Sequence, residues 1–426
     1  MTSELLQQVR VIDPISGTDR ITDVLIDGGA IAIVADNISD LPSDTHIKDC
    51  HGLVLGPGLV DLYSHSGEPG FEERESLLSL MQAAAAGGFT RINLLPDTSP
   101  AIDNPSVVAK LLQKSRMATD GRINSFALPL LNVWGAITKE SAGKQMTELA
   151  DLAAAGVVGF TDGQPWQNFA LVRRVLEYLQ PLHQPVAFSC CNLELKGNGV
   201  VREGLDAIRL GLPFVPASAE TSAIAALLEL TAATGVPIHI MRVSTERSVE
   251  LIASAKARGV PVSASTTWMH LLLDTQAVKS YNTSLRLEPP LGNPKDVTAL
   301  RQGVRTNVID AIAIDHSPYT YEEKTVAFAE APPGAIGFEL ALPFLWQHLV
   351  ETGEFTALEL WAALSTRPAD CLQQKPSAIA PGQPVEMSLF DPLQNWKVDK
   401  QNLYTLSTNT PWLGQQVQGR IVRTWC

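Results

Sequence analysis

Between Val54 and Pro368 one pattern keeps returning: a short run of Val, Ile and Leu, a polar turn, then an amphipathic stretch with apolar residues at helical spacing. Strand then helix, repeated, is buried most simply as parallel strands joined by crossover helices. Strand-like runs fall at Val54–Leu62, Phe89–Leu95, Asn124–Leu130, Val157–Thr161, Pro185–Cys190, Pro237–Val243, Pro261–Ser265 and Asp310–Ile314. Eight such units predict a (β/α)8 TIM barrel. Helices are expected over Ser76–Gly87, Pro105–Ser115, Glu140–Ala155, Leu171–Leu179, Ser218–Thr234 and Thr245–Gly259, several opening on Ser, Thr or Pro and closing on Gly.

The two ends break this rhythm. Val9–Asp13, Thr22–Asp27, Ala30–Ala35, Met387–Asp391 and Gly419–Trp425 are short alternating runs, so residues 1–53 and 372–426 are expected to form a small β-sandwich domain beside a barrel spanning 54–371. Pro381-Gly382-Gln383-Pro384 reads as the turn entering its C-terminal half. With 426 residues, 45% hydrophobic and 18% charged, the chain has material for a large core, which excludes a disordered or collagenous protein. Its net charge of −13 without a basic cluster argues against nucleic acid as a partner. No apolar run is long enough to span a bilayer, and Met1–Arg20 lacks a basic stretch followed by an apolar core, so neither membrane insertion nor export is expected. Cys50, Cys190, Cys191, Cys371 and Cys426 are odd in number and form no CxxC pair, which fits a reduced cytoplasmic setting.

In such a barrel the chemistry sits where the strands end. The first run continues as Gly56-Pro57-Gly58-Leu59-Val60-Asp61-Leu62-Tyr63-Ser64-His65-Ser66-Gly67-Glu68-Pro69-Gly70. Ala83-Ala84-Ala85-Ala86-Gly87-Gly88-Phe89-Thr90, Pro96-Asp97-Thr98-Ser99-Pro100, Val243-Ser244-Thr245, Pro289-Pro290-Leu291, Asp315-His316-Ser317-Pro318, Ala331-Pro332-Pro333-Gly334 and Asn409-Thr410-Pro411 follow in order. This ordered series, over nearly the whole chain, resembles dihydroorotase of the amidohydrolase superfamily. The resemblance implies a barrel enzyme that reversibly cyclises carbamoyl-aspartate to dihydroorotate in pyrimidine biosynthesis. A pair of divalent metals, usually zinc, supplies a hydroxide there, and an Asp at the end of the eighth strand shuttles the proton.

Against that pattern the chain departs at the chemical positions. The first-strand His-x-His is Tyr63 and His65, and the metal imidazoles of the fifth and sixth strands are Ser189 and Arg242. His65, Asp162 and Asp315 are the retained metal or catalytic positions, although related sequences often carry two consecutive Asp where this one has Asp162 alone. At the substrate positions the family's Arg after His-x-His is Gly67, its two Asn are Asp97 and Glu288, and its Arg after Pro-Pro-Leu is Gly292. Trp268-Met269-His270 replaces the usual Pro-His-His. Two added carboxylates and two lost cations should repel an anionic substrate and favour a neutral or cationic ligand.

Several readings of these residues compete. His65 with Asp162 and Asp315 could hold one zinc ion as a facial set; alternatively the two acids are buried hydrogen-bonding groups whose counter-charge is Arg242, standing in for the metal. His239, three residues before Arg242, is expected on the opposite face of its strand as a structural residue. Cys190 and Cys191 read as small buried hydrophobes, and Trp166, Trp268 and Trp412 as core or interface. Asp315-His316-Ser317 is too contiguous to align as a hydrolase triad, and the Gly-rich stretches lack the GxxxxGK[ST] pattern of a phosphate loop. The leading expectation is a catalytically inactive dihydroorotase-like protein without a metal cofactor. Inactive relatives serve as structural partners of aspartate transcarbamoylase, and a homodimer is the family habit. The alternatives are an active dihydroorotase or cyclic-amide hydrolase with a reduced, single-metal site, and a small-molecule sensor using the same cavity.

Overall fold

The computed structural model describes residues 3–119 and 126–426. Its inner strands are Leu59–Val60, Phe89–Leu94, Leu130–Gly135 and Gly159–Phe160 in one parallel sheet, and Ala187–Ser189, Ile238–Met241, Val262–Thr267 and Ala311–Ala313 in a second. The sheets meet at two seams. A parallel bridge joins Phe160 to Val186, and across the other seam His65 N–H donates to His316 O at 2.8 Å. Val60, Leu62, Tyr63, Leu95, Trp134, Ala187, Met241, Ala311 and Ala313, drawn from strands of both sheets, form one buried apolar cluster between them. Alternate strand residues such as Ile92, Ile240 and Ile312 join the larger core that includes the helices.

Local sequence accounts for most of the helices. Ser76 and Ser79 make a reciprocal cap at the start of Leu77–Ala86, and Gly87 ends it. Thr245 caps Glu246–Ala257 by accepting from Ser248 N–H. The helix expected over Glu140–Ala155 is reduced to Leu149–Ala154 after a 3-10 turn at Lys139–Ser141. Glu140, Ser141 and Gly143 have φ of 56°, 52° and 68°, which no α-helix accommodates. The run at Asn124–Leu130 begins outside the described residues; the strand there is Leu130–Gly135.

The run Val54–Leu62 is divided. Val54–Pro57 pairs antiparallel with Met387–Lys397 in the terminal sheet, and only Leu59–Val60 joins the inner sheet. The terminal strands are hydrogen-bonded into one mixed seven-stranded sheet. Its order is Gln416–Trp425, Met387–Lys397, Val54–Pro57, Glu4–Asp13, Thr18–Asp27, Ala30–Ala35, with His46–Asp49 also on Glu4–Asp13. An irregularity between Leu6 and Val9, with Gln8 at φ 55°, bends the Glu4–Asp13 strand. One edge of it then serves two partners, His46–Asp49 along Glu4–Gln7 and Val54–Leu55 along Arg10–Val11. Among the described residues no helix is long and apolar enough to cross a membrane.

Candidate functional site

At the C-terminal ends of the inner strands lies a cavity of about 120 Å³, lined among others by His65, Asp97, Ser189, Arg242, Glu288 and Asp315. Arg242 organises it. Its Nε and Nη2 donate to the two oxygens of Asp315 at 2.8 and 2.6 Å, and its Nη1 donates to Gly163 O at 2.9 Å. His65 Nδ1–H donates to Asp97 Oδ2 at 2.6 Å, while its Nε2 lies 3.2 Å from Arg242 Nη2 and 3.6 Å from Asp315 Oδ1. Two cationic and two anionic side chains thus close on one another.

The electrostatics follow from this closure. Burial disfavours the His65 imidazolium, but Asp97 and Asp315 together outweigh it and raise its pKa to about 9. Burial likewise opposes ionisation of Asp315 and is overcome by Arg242 and His65, which hold the carboxyl well below its usual range. Asp97 is held down in the same sense, against burial, chiefly by His65.

Asp162 stands apart from this group. It accepts from Thr138 N–H at 2.9 Å and from the Thr138 hydroxyl at 2.6 Å, and burial raises its pKa to about 6. The expectation that Arg242 counters both retained acids therefore holds for Asp315 alone. Thr138 escaped the sequence reading because nothing in the strand pattern marks the residue beyond the third strand as a carboxylate partner.

His239 also differs from expectation. Strand alternation places it with Met241, whose side chain belongs to the cluster between the sheets, and its ring reaches Ser265 at 2.8 Å and Ser263 at 2.9 Å. Arg242 should by the same alternation point outward. It reaches the cavity because its φ of 56° turns the chain just past the strand. One proton order satisfies the chain beneath the site: Arg242 N–H to Tyr63 OH, Tyr63 OH to Ser265, Ser265 to His239 Nε2, and His239 Nδ1–H to Ser263. Burial drives the His239 pKa down to about 3, so it is neutral and structural, as expected, though by a different geometry.

The added acids do not leave a negative cavity. Asp97 is matched by His65, and Glu288 by Lys196 at 2.5 Å with Arg286 at 3.6 Å. Repulsion of an anionic ligand, expected from the sequence, is therefore offset locally. Lys196 is 92 residues from Glu288, and no sequence signal links them.

Gly67 is closed to a side chain: a Cβ there would stand 2.3 Å from Phe71 O and 2.5 Å from Glu75 O. At Gly292 it would stand 2.6 Å from the Asp296 Cβ. Gly67→Ala is expected to lower stability by about 1–3 kcal/mol through overpacking, read as a lower melting temperature.

The donors present do not suit the metal pair that the sequence resemblance implies. The Tyr63 hydroxyl is committed to Ser265 and Arg242 N–H, Arg242 is itself a cation, and Asp315 gives both oxygens to it. The reduced set of His65, Asp162 and Asp315 is not assembled, because Asp162 is engaged with Thr138. Among the described residues no group of three or more His, Cys, Asp or Glu is placed to hold a metal ion. Burial pushes both neighbouring thiols up, Cys191 to about 11. The Ser317 hydroxyl donates to Asp315 O at 3.0 Å and the His316 ring accepts from Gly337 N–H, so these consecutive residues form no triad. Trp166 and Trp268 are buried, and Trp412 stacks on Phe344 at 4.4 Å.

Residues 52–248 match a family model described as dihydro-orotase-like. A probable dihydroorotase-like protein of Synechocystis sp. is 43% identical over 99% of both chains. A dihydroorotase of Syntrophus aciditrophicus is 36% identical over 99% of this chain and 97% of its own. Among solved structures, an L-hydantoinase (dihydropyrimidinase) from Arthrobacter aurescens superposes with a TM-score of 0.83 at 21% identity, covering 100% of this chain and 95% of that one. At that identity the likeness concerns the fold alone.

Proposed function

This chain belongs to the dihydroorotase-like family, and we propose that within it the protein is a non-hydrolytic member. In this reading its two inner sheets close into a (β/α)8 barrel of the amidohydrolase type, which serves as a cytoplasmic structural partner of aspartate transcarbamoylase in pyrimidine biosynthesis. The fork from Arg242 to Asp315 carries the reading. A proton shuttle works best when its pKa lies near the working pH. Asp315 is held far below that range, with both oxygens already accepting from a permanent cation. His65 Nε2, the retained imidazole nitrogen, lies against the same guanidinium. Reviving the base would require breaking a buried, forked ion pair.

The cavity beside His65 and Asp315 favours a second reading, a cyclic-amide hydrolase or dihydroorotase with an altered, single-metal site. Elemental mass spectrometry on protein purified without chelator, with a dihydroorotate hydrolysis assay on the same sample after zinc addition, separates the two. The proposal expects far less than one zinc per chain and no turnover above the uncatalysed rate. Near-stoichiometric zinc with turnover overturns it in favour of the hydrolase. For the partner, the chain and aspartate transcarbamoylase should co-elute at micromolar concentration; separate elution removes that role.

A further inference from the structure

A second cavity, of about 490 Å³, opens at the N-terminal ends of the inner strands, against about 120 Å³ for the one at their C-terminal ends. Small-molecule sites span roughly 300–1,000 Å³, so there is room for a ligand. Pro237 and Pro261 stand just before the strands Ile238–Met241 and Val262–Thr267, and with Val262 they give the cavity an apolar wall in which neither proline offers an N–H. The helix Thr366–Cys371 contributes Arg367 and Asp370.

Of the charged side chains that line this cavity, Asp310 is satisfied. Its two oxygens accept from Lys256 Nζ at 2.8 and 2.7 Å, and one also accepts from Ala264 N–H at 2.7 Å. Arg367 and Asp370 are not. Arg367 donates from Nη1 to Val304 O at 2.9 Å, and among the described residues it makes no further hydrogen bond and no ion pair. The Asp370 carboxylate, at the exposed rim, has neither among the described residues. Burial works against both charges, lowering the pKa of Arg367 and raising that of Asp370. Opposite charges three residues apart on a helix are neighbours, yet these two do not close on each other. One open cation and one open anion therefore face the same cavity.

We propose that this cavity binds an α-amino acid with an apolar side chain, its carboxylate on Arg367, its ammonium on Asp370 and its side chain along Pro237, Pro261 and Val262. With Nη1 engaged, the guanidinium keeps its Nε–Nη2 edge open, the fork that a carboxylate accepts in two bonds. A zwitterion answers both charges at once, whereas a simple anion or cation leaves one of them unpaired. Ser263 also lines the cavity, at the far end of the hydrogen-bonded chain that runs through His239, Ser265 and Tyr63 to Arg242 N–H. Its hydroxyl accepts from His239, and its own proton reaches Ile238 O at a long 3.4 Å, which leaves a donor for the occupant. The ligand would thus touch the same chain of hydrogen bonds that ends beneath the site of Arg242.

The test is isothermal titration of the full chain with L-leucine and with two truncated probes, isocaproate, which lacks the ammonium, and isoamylamine, which lacks the carboxylate. Leucine is expected to bind saturably at millimolar concentration or below, and each truncated probe about tenfold or more weakly, because it leaves one charge unpaired. Asp370→Asn and Arg367→Gln should each weaken leucine about tenfold. Asp370 lies at the rim, so its variant keeps the fold and carries the test even where Arg367→Gln, which also disturbs the bond to Val304 O, does not fold. No saturable binding of leucine, equal binding of either truncated probe, or leucine binding unchanged in Asp370→Asn overturns the proposal. None of these results depends on whether the site of Arg242 hydrolyses dihydroorotate.

Discussion

Replacing Arg242 with methionine is expected to destabilise the fold by about 3–5 kcal/mol, the cost of leaving a buried carboxylate without its partner. Arg242 is 7% exposed and Asp315 16%, and the guanidinium also satisfies Gly163 O. Methionine fills the volume but supplies none of the three donors. The loss comes mainly from what remains behind, an anionic Asp315 whose other neighbour, His65, is already engaged with Asp97. Removing both charges, as Arg242→Met with Asp315→Leu, should therefore cost less than Arg242→Met alone, because apolar replacement of a whole buried pair is often nearly neutral. Urea denaturation of the two single variants and the double variant measures the coupling, provided the slope with denaturant stays constant. An Arg242→Met cost within the range of a surface substitution, about 0.5 kcal/mol or less, would sink the view that this pair holds the site closed.

Much of this architecture was legible because apolar runs must be buried and helix ends must be satisfied. Phe89–Leu94, Ile238–Met241 and Val262–Thr267 lie where Val, Ile and Leu concentrate, and Ser76 and Thr245 cap helices as short hydroxyl residues do. Which of the family's ligand positions are kept, at His65 and Asp315, and which are replaced, at Tyr63, Ser189 and Arg242, was legible too, since those positions are fixed by order along the chain. What the sequence did not reveal is how the replacements meet. Alternation would turn Arg242 outward, and only a left-handed backbone angle, which no local residue pattern announces, aims it at Asp315. The pairings of Asp162 with Thr138 and of Glu288 with Lys196 join residues far apart in the chain: the first ties Asp162 up with a neutral donor, and the second cancels the charge of Glu288. An acid read alone is a negative charge, whereas an acid read with its partner is part of a neutral wall.

The pH dependence of stability should bear the mark of that wall. His65 has a folded pKa of about 9, above the 6.5 of the free side chain. A raised cationic group contributes stability that is complete below the unfolded pKa and fades as pH climbs through the folded one. The full shift corresponds to about 3 kcal/mol, and with the ring 23% exposed roughly 2 kcal/mol is the reasonable expectation. Other groups titrate nearby: burial raises Asp162 to about 6, Asp61 to about 7 and Glu339 to about 8, and lowers Lys324 to about 7. Raised carboxylates lose stability as pH climbs toward those values, whereas the lowered lysine gains it, so the wild-type profile alone is a mixture. Subtracting the profile of His65→Gln, whose amide can still donate to Asp97, leaves the imidazolium. The difference in unfolding free energy should be level below pH 6.5, shrink between about 6.5 and 9, and be lost above. A difference that stays level from pH 5 to pH 10 would mean a neutral His65 accepting from Arg242 throughout. The quartet would then be a triad of one cation and two anions, with Asp97 left to find its counter-charge elsewhere.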